Sequence, residues 1–166
     1  MADRSTQDDS PTKVVELAVN LDDVTGEQVG AAIDRLMSAG ALDAWATPIT
    51  MKKGRPGVTL SVLSREAQQD TLVKQLLTDT GSFGVRVRTW DRIVLDRTYH
   101  ERDTPLGKIK LKAGSLDGKP ITVKPEFDAV LALANQTNTP LSQAQRTAST
   151  AADALFNELR QGADHA

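Results

Sequence analysis

A chain of 166 residues, 39% hydrophobic and 25% charged, has an ordinary globular composition and the length of one domain or two small ones. Its 20 Lys and Arg against 22 Asp and Glu give a net charge of −2, which argues against a protein built to coat nucleic acid. With no cysteine and only His100 and His165, the sequence excludes disulfide scaffolds, thiolate zinc sites, cysteine nucleophiles and a histidine-rich metal centre, and a catalytic triad would have to use His100.

Residues 1–12 (MADRSTQDDSPT) are polar and acidic, with no apolar stretch of a signal peptide, and are expected to form a flexible tail. Apolar runs such as 129–134 are far too short for a membrane span, so no membrane partner and a cytoplasmic location are expected. Residues 13–20 place Val15, Leu17 and Val19 on one face at period two, the pattern of a strand. Thr25 with Gln28 fits a capping box, and Val29, Ile33, Leu36 and Met37 then follow helical spacing up to a C-terminal Gly40. A second strand is expected over 42–50, with Pro48 marking an edge or a bulge. The Gly and Pro of 51–57 indicate a loop, followed by a strand over 58–63.

Ser64 is a candidate cap for a helix whose stripe is Leu72, Val73, Leu76 and Leu77, broken by residues 78–84. Val85, Val87 and Thr89 alternate with Arg86 and Arg88 in a strand with one charged face. The element order to this point is β-α-β-β-α-β, that of the ferredoxin-like split βαβ motif, over residues 13–90. A smaller unit over 91–161 is expected to add a β-hairpin and two helices. Its strands are read at 93–101 and 108–112 around a turn at 104–107, and Asp117-Gly118 turns the chain into 120–123. Pro125 suits the first position of a helix carrying Phe127, Val130, Leu131 and Ala134. Pro140 opens a last helix with the stripe Leu141, Ala144, Ala148, Ala151, Leu155 and Leu159, small enough for close packing within the domain or across a subunit contact. Residues 162–166 are expected to be a second flexible tail. The fold class is α+β.

Three polar clusters fall at loops of the first unit. Asn20, Asp22, Asp23 and Glu27 surround the first strand-to-helix turn, where acids complement a helix N-terminus or supply hard oxygen ligands for Mg²⁺ or Mn²⁺. Lys52, Lys53, Gly54, Arg55, Pro56 and Gly57 form either a solvated basic tip or a site where an Arg fork and mobile Lys charges meet a polyphosphate. The string does not match the Walker A spacing. Thr80, Gly81, Ser82, Phe83, Gly84 and Arg86 are either a turn or a cradle of backbone N–H groups for phosphate oxygens. Glu126 stands at a further helix start, with capping as the alternative.

The strings NLDDVTGE, ALDAWATPITMKKGRPG, TDTGSFGVRV and KPEFDAVLALA, in that order, resemble the C-terminal domain of the LarC-type nickel-insertion proteins over about residues 14–159. The resemblance implies a domain that binds CTP with Mn²⁺ or Mg²⁺ and assembles as a homotrimer or hexamer. In that family CTP is consumed to CMP and pyrophosphate as nickel is inserted into the pyridinium bisthiocarboxylate mononucleotide, giving the nickel-pincer nucleotide. The matched positions are Asn20, Asp22, Asp23, Glu27, Lys52, Lys53, Arg55, Pro56, Gly57, Thr80, Gly84, Arg86, Pro125 and Glu126, and Ser82 joins the phosphate side by its place in the third cluster. The chain departs from the family in carrying Ala18 before the NLDD run, and Asp79-Thr80-Gly81-Ser82 where an ETTT-like run is usual. Full-length members carry a further N-terminal domain, and a chain supplying such a domain is among the partners the resemblance implies. The two functions to be separated are a CTP-dependent cyclometallase component and a non-catalytic nucleotide-binding or oligomerising module.

Overall fold

The computed structural model describes residues 12–163, in two compact units that divide at Ile93 and Val94. The first holds β1 (Lys13–Leu21), α1 (Gly26–Ser38), β2 (Asp43–Met51), β3 (Arg55–Ser64), α2 (Gln69–Thr80) and β4 (Arg86–Asp91). Their order is the expected β-α-β-β-α-β, and the strands form an antiparallel sheet in the order β2-β3-β1-β4. Period two on β1 sends Val15, Leu17, Val19 and Leu21 to one face, where they meet Leu60 and Val62 of β3. Ala32 and Leu36 of α1 and Leu72 and Leu76 of α2 complete this core. Each leucine so buried contributes roughly 1.5–3 kcal/mol. Both helices thus cover one face, and the other is left to the even-numbered residues of β1 and their cross-strand neighbours.

The capping box at α1 is present: Gln28 N–H donates to Thr25 Oγ1 at 3.2 Å and Thr25 N–H to Gln28 Oε1 at 2.8 Å. Pro48 lies on the edge strand β2, which needs no ladder donor there. Other expectations need correcting. The loop over 51–57 shrinks to a single 3₁₀ turn, Lys52–Gly54, because β2 and β3 pair out to Met51 and Arg55. Its tightness forces Lys53 to a left-handed φ of 62°. Ser64 does not cap α2; it is buried in β3 opposite Val15 and its hydroxyl donates to the Arg65 carbonyl. A short 3₁₀ turn, Glu66–Gln68, intervenes before the helix. The helix also runs on through Thr80 and ends at Gly81 in the left-handed conformation, φ 66°, whose N–H bonds the Leu77 carbonyl.

The second unit is a three-stranded antiparallel sheet of β5 (Asp96–Thr104), β6 (Gly107–Leu116) and β7 (Lys119–Pro125), followed by α3 (Phe127–Gln136) and α4 (Leu141–Ala163). Pro125 therefore ends a strand instead of opening a helix, and Glu126 is the N-cap residue of α3. Packing in this unit buries Val130, Leu133 and Ala134, leaving Phe127 exposed and Leu131 at the margin. The alanine stripe of α4 is spent inside the unit: Ala144, Ala148, Ala152 and Leu155 pack with Ile109, Leu111 and Val130. The helix continues through Gly162 and Ala163, and Thr12 accepts a hydrogen bond from the Arg92 N–H at 2.7 Å. The remainder of the two expected tails lies outside the described residues.

Ala148 has no exposed surface. Ala148→Glu would bury an unpaired carboxylate and is expected to destabilise the second unit by more than about 3 kcal/mol. Thermal unfolding and limited proteolysis within 94–163 test this. An unchanged melting temperature with altered self-association would place the stripe at a subunit contact instead.

Candidate functional site

Antiparallel pairing puts the C-terminal ends of β1 and β2 and the N-terminal ends of β3 and β4 at one end of the first sheet. All three polar clusters of the first unit therefore share that end. Two contacts tie them together. Arg55 Nη1 lies 3.1 Å from Asp22 Oδ2, joining the hairpin tip to the first turn. Asn20 Oδ1 accepts from Arg86 Nη2 at 2.8 Å and from Thr59 Oγ1 at 2.9 Å, joining β1 to β4 and β3. Thr59 was not expected from the sequence. Its register opposite Asn20 is what recruits it, and an alternation of hydroxyls on β3 was the available signal.

Beside these groups is a cleft of about 280 Å³ lined by Leu21, Asp22, Thr25, Gly26 and Gly57. Gly57 is there for space: a Cβ would fall 2.5 Å from the Leu21 carbonyl oxygen and 3.2 Å from Met51 sulfur. The close approach holds β3 against the turn that carries Asp22. The Asp22 carboxylate and the guanidinium groups of Arg55 and Arg86 are donor types suited to a hard cation and to phosphate oxygens.

The other proposed residues are placed differently. Asp23 and Glu27 are exposed and do not converge with Asp22; among the described residues no three His, Asp or Glu side chains are grouped to hold a metal. Lys52 and Lys53 stand exposed at the tip. Thr80 and Ser82 are engaged in their own turn: Thr80 Oγ1 donates to the Leu76 carbonyl at 2.7 Å and Ser82 Oγ to the Gly84 carbonyl at 3.0 Å. With the Ser82 N–H on Thr80 Oγ1, the segment serves first as a helix terminus. Glu126 belongs to the second unit, 3.6 Å from Lys110. His100 is also in that unit, its Nε2 2.9 Å from Thr98 Oγ1. Burial, and then the Arg102 charge, hold its imidazole below the usual value against an opposing pull from Glu158, so it is neutral at pH 7.

Gly57→Ala is expected to cost about 1–3 kcal/mol, because backbone and not a flexible side chain must yield. Gly26→Ala, with nothing within 4 Å of its Cβ, is expected to leave stability unchanged. Denaturant melts of the two variants check the pair.

The family described as nickel insertion protein matches residues 2–145. A putative nickel insertion protein of Roseiflexus castenholzii is 44% identical over 129 residues, covering 78% of this chain and 33% of that protein. The pyridinium-3,5-bisthiocarboxylic acid mononucleotide nickel insertion protein of Lactiplantibacillus plantarum is 37% identical over 146 residues, covering 87% of this chain and 34% of that protein. The chain thus spans about a third of the length of the curated relatives it matches. Among solved structures, the apo form of LarC2, the C-terminal domain of a cyclometallase in the synthesis of the NPN cofactor of lactate racemase, superposes with a TM-score of 0.77 at 35% identity. That match covers 89% of this chain and 99% of the other. A protein of Methanopyrus kandleri gives a TM-score of 0.60 at 25% identity, covering 84% and 86%. With the expected element order, the clustered loop residues and these likenesses together, the chain belongs to the nickel insertion protein family.

Proposed function

We propose that this chain takes part in nickel insertion into the pyridinium bisthiocarboxylate mononucleotide, as part of a CTP-dependent cyclometallase. In this reading the loop end of the first unit's sheet binds CTP with Mn²⁺ or Mg²⁺. The observation that carries it is the pairing of Arg55 with Asp22 and of Arg86 with Asn20 at one end of the sheet, where Asp22 and Gly57 line a cleft. The donor set is one of oxygens, which fits a hard divalent ion. Asp22 would help to hold such an ion, whose positive charge would offset the negative charge of the phosphates.

The chain's own residues do the rest. Asp22 offers its carboxylate to the cation, Asn20 holds Arg86 in place through its side-chain oxygen, and Arg55 exchanges its carboxylate for a phosphate, to which its fork is equally suited. Lys52 and Lys53 add mobile positive charge at the tip, and Arg86 holds the opposite side. The Thr80–Gly84 turn presents Gly84 and Ser82 next to β4, and Asp23 and Glu27 extend the acidic side. Glu126 contributes to its own unit through Lys110.

Nickel is cargo in this scheme, not a resident ion. Imidazole suits nickel better than carboxylate does, and the described His100 lies in the other unit. The oxygen-only donor set therefore also favours a second reading, a nucleotide-binding module that needs a partner chain for chemistry. Self-association as a trimer or hexamer belongs to either reading. The open β4 edge, where Val87 and Phe83 are exposed, is the surface proposed for it in place of the buried alanine stripe.

Calorimetric titration with CTP, ATP and GTP tests the assignment. CTP is expected to bind with Mn²⁺ and much more weakly in EDTA, since a few side-chain cations beside an acidic turn do not neutralise a triphosphate. Arg55→Ala is expected to weaken binding about tenfold, more than Lys53→Ala, with partial rescue by Arg55→Lys. Equal affinity in EDTA and Mn²⁺ would reject the metal-bridged site. Normal binding by both alanine variants would make the tip a solvated hairpin.

A further inference from the structure

The face of the first sheet that carries neither α1 nor α2 holds a groove of about 450 Å³, the size of a small-ligand site. Register assembles it. Ala18 is opposite Ser61 on one side and Arg86 on the other, Glu16 is opposite Arg88, and Val14 is opposite Trp90. Ala18 and Ser61 are small and nearly covered, and they floor the groove. Arg86, Arg88, Trp90 and Glu16 rise around them.

The tryptophan is held in place although it is 39% exposed on an edge strand. Its Nε1–H donates to Glu16 Oε2 at 2.7 Å, and the Arg88 guanidinium lies 3.8 Å from its ring centroid. The arrangement lies on the face away from the main core, where small stretches such as Val14, Ala18 and Ser61 are covered. An oriented indole with a planar cation stacked on it, a carboxylate at its edge and a second guanidinium nearby is a charge pattern with a defined complement.

We propose that this groove seats the mononucleotide that accepts nickel: a flat pyridinium ring carrying acid groups and a phosphate. The proposal rests on the nickel-insertion reading for the identity of the ligand. The pyridinium ring takes the place that the Arg88 guanidinium holds over Trp90, one planar cation replacing another. Glu16 lies on the same face and complements the ring's fixed charge. Arg88, released from the indole, forks onto an acid group, and Arg86 meets the phosphate or the second acid group. A neutral pyrimidine base lacks the cation that the indole and Glu16 select, so CTP is a poorer occupant. Because Arg86 also bonds Asn20, the seat adjoins the loop end proposed for CTP, and the two ligands face one shared guanidinium.

The probe is nicotinic acid mononucleotide, a pyridinium carboxylate mononucleotide. The chain has two tryptophans, so Trp45→Phe leaves Trp90 as the sole indole reporter. In that background the probe is expected to quench fluorescence saturably. Arg88→Gln should weaken probe binding about tenfold by removing a charge-assisted fork, while calorimetric binding of CTP with Mn²⁺ stays unchanged. Trp90→Leu should abolish probe binding measured by calorimetry. Normal CTP binding without quenching by the probe would overturn the seat and leave the CTP assignment standing. Probe binding without CTP binding would do the reverse. If CTP itself quenches Trp90 and competes with the probe, the groove belongs to CTP and the proposal fails.

Discussion

Strand β1 is hydrogen-bonded on both sides, to β3 and to β4, and its register decides what the rest of the first unit can do. With side chains alternating, one residue of slip would turn Val15, Leu17, Val19 and Leu21 away from the helices and bury Glu16 and Asn20. The hydrophobic core therefore fixes the register, and the register fixes the polar face. Asn20 meets Thr59 and Arg86, and Glu16 meets Trp90, as consequences of burying leucines and valines on the other side. Gly57 reinforces the arrangement at one end, where bare backbone lies against the Leu21 carbonyl and leaves no room for a side chain.

The polar contacts at the loop end are not what holds the unit together. Arg55 is 57% exposed in its pair with Asp22, and pairs of that kind contribute about 0–1 kcal/mol. Their weakness matters for binding. A phosphate can take Arg55 and a divalent ion can take Asp22 with little loss of folded stability, whereas a desolvated pair of the same residues would resist the exchange. Arg86 is likewise bonded to a neutral carboxamide, so its full charge remains available to an anion.

What was legible in the sequence follows from the range over which each signal acts. The capping box at Thr25 and Gln28, the alternation of β1 and the helical stripes are local, and they yielded the element order and fold class. Element ends were less legible where tertiary pairing overrides local chemistry: β3 absorbs Ser64 and β7 absorbs Pro125, although both residues suit helix starts. At the site, the clustering of Asn20, Asp22, Arg55 and Arg86 could be anticipated because each lies at a loop of the same motif. The contacts themselves could not. Thr59 reaches Asn20 across 39 residues and Trp90 reaches Glu16 across 74, so both depend on a register that no single segment encodes. The alanine stripe shows a different limit, since small residues suit packing inside a unit as well as between subunits, and only the partners Ile109, Leu111 and Val130 separate the two.

The absence of cysteine from the sequence is compatible with handling nickel once the ligands are divided by hardness. Soft thiolate-like donors favour late transition metals, while carboxylate and carboxamide oxygens favour Mg²⁺ or Mn²⁺. Under the nickel-insertion reading the soft donors sit on the substrate, whose two thioacid groups are themselves metal ligands. A protein that also presented thiolates would compete with its own product for the ion. Under that reading what this chain supplies is electrostatic: oxygens for a cation accompanying a triphosphate, guanidinium groups for phosphates and acid groups, and an oriented indole for a charged ring. The first unit places these groups on one face and one end of a single sheet, with Arg86 at the corner between them. If both ligands bind as proposed, Arg86 is the group through which a change in the charge of one would be felt by the other.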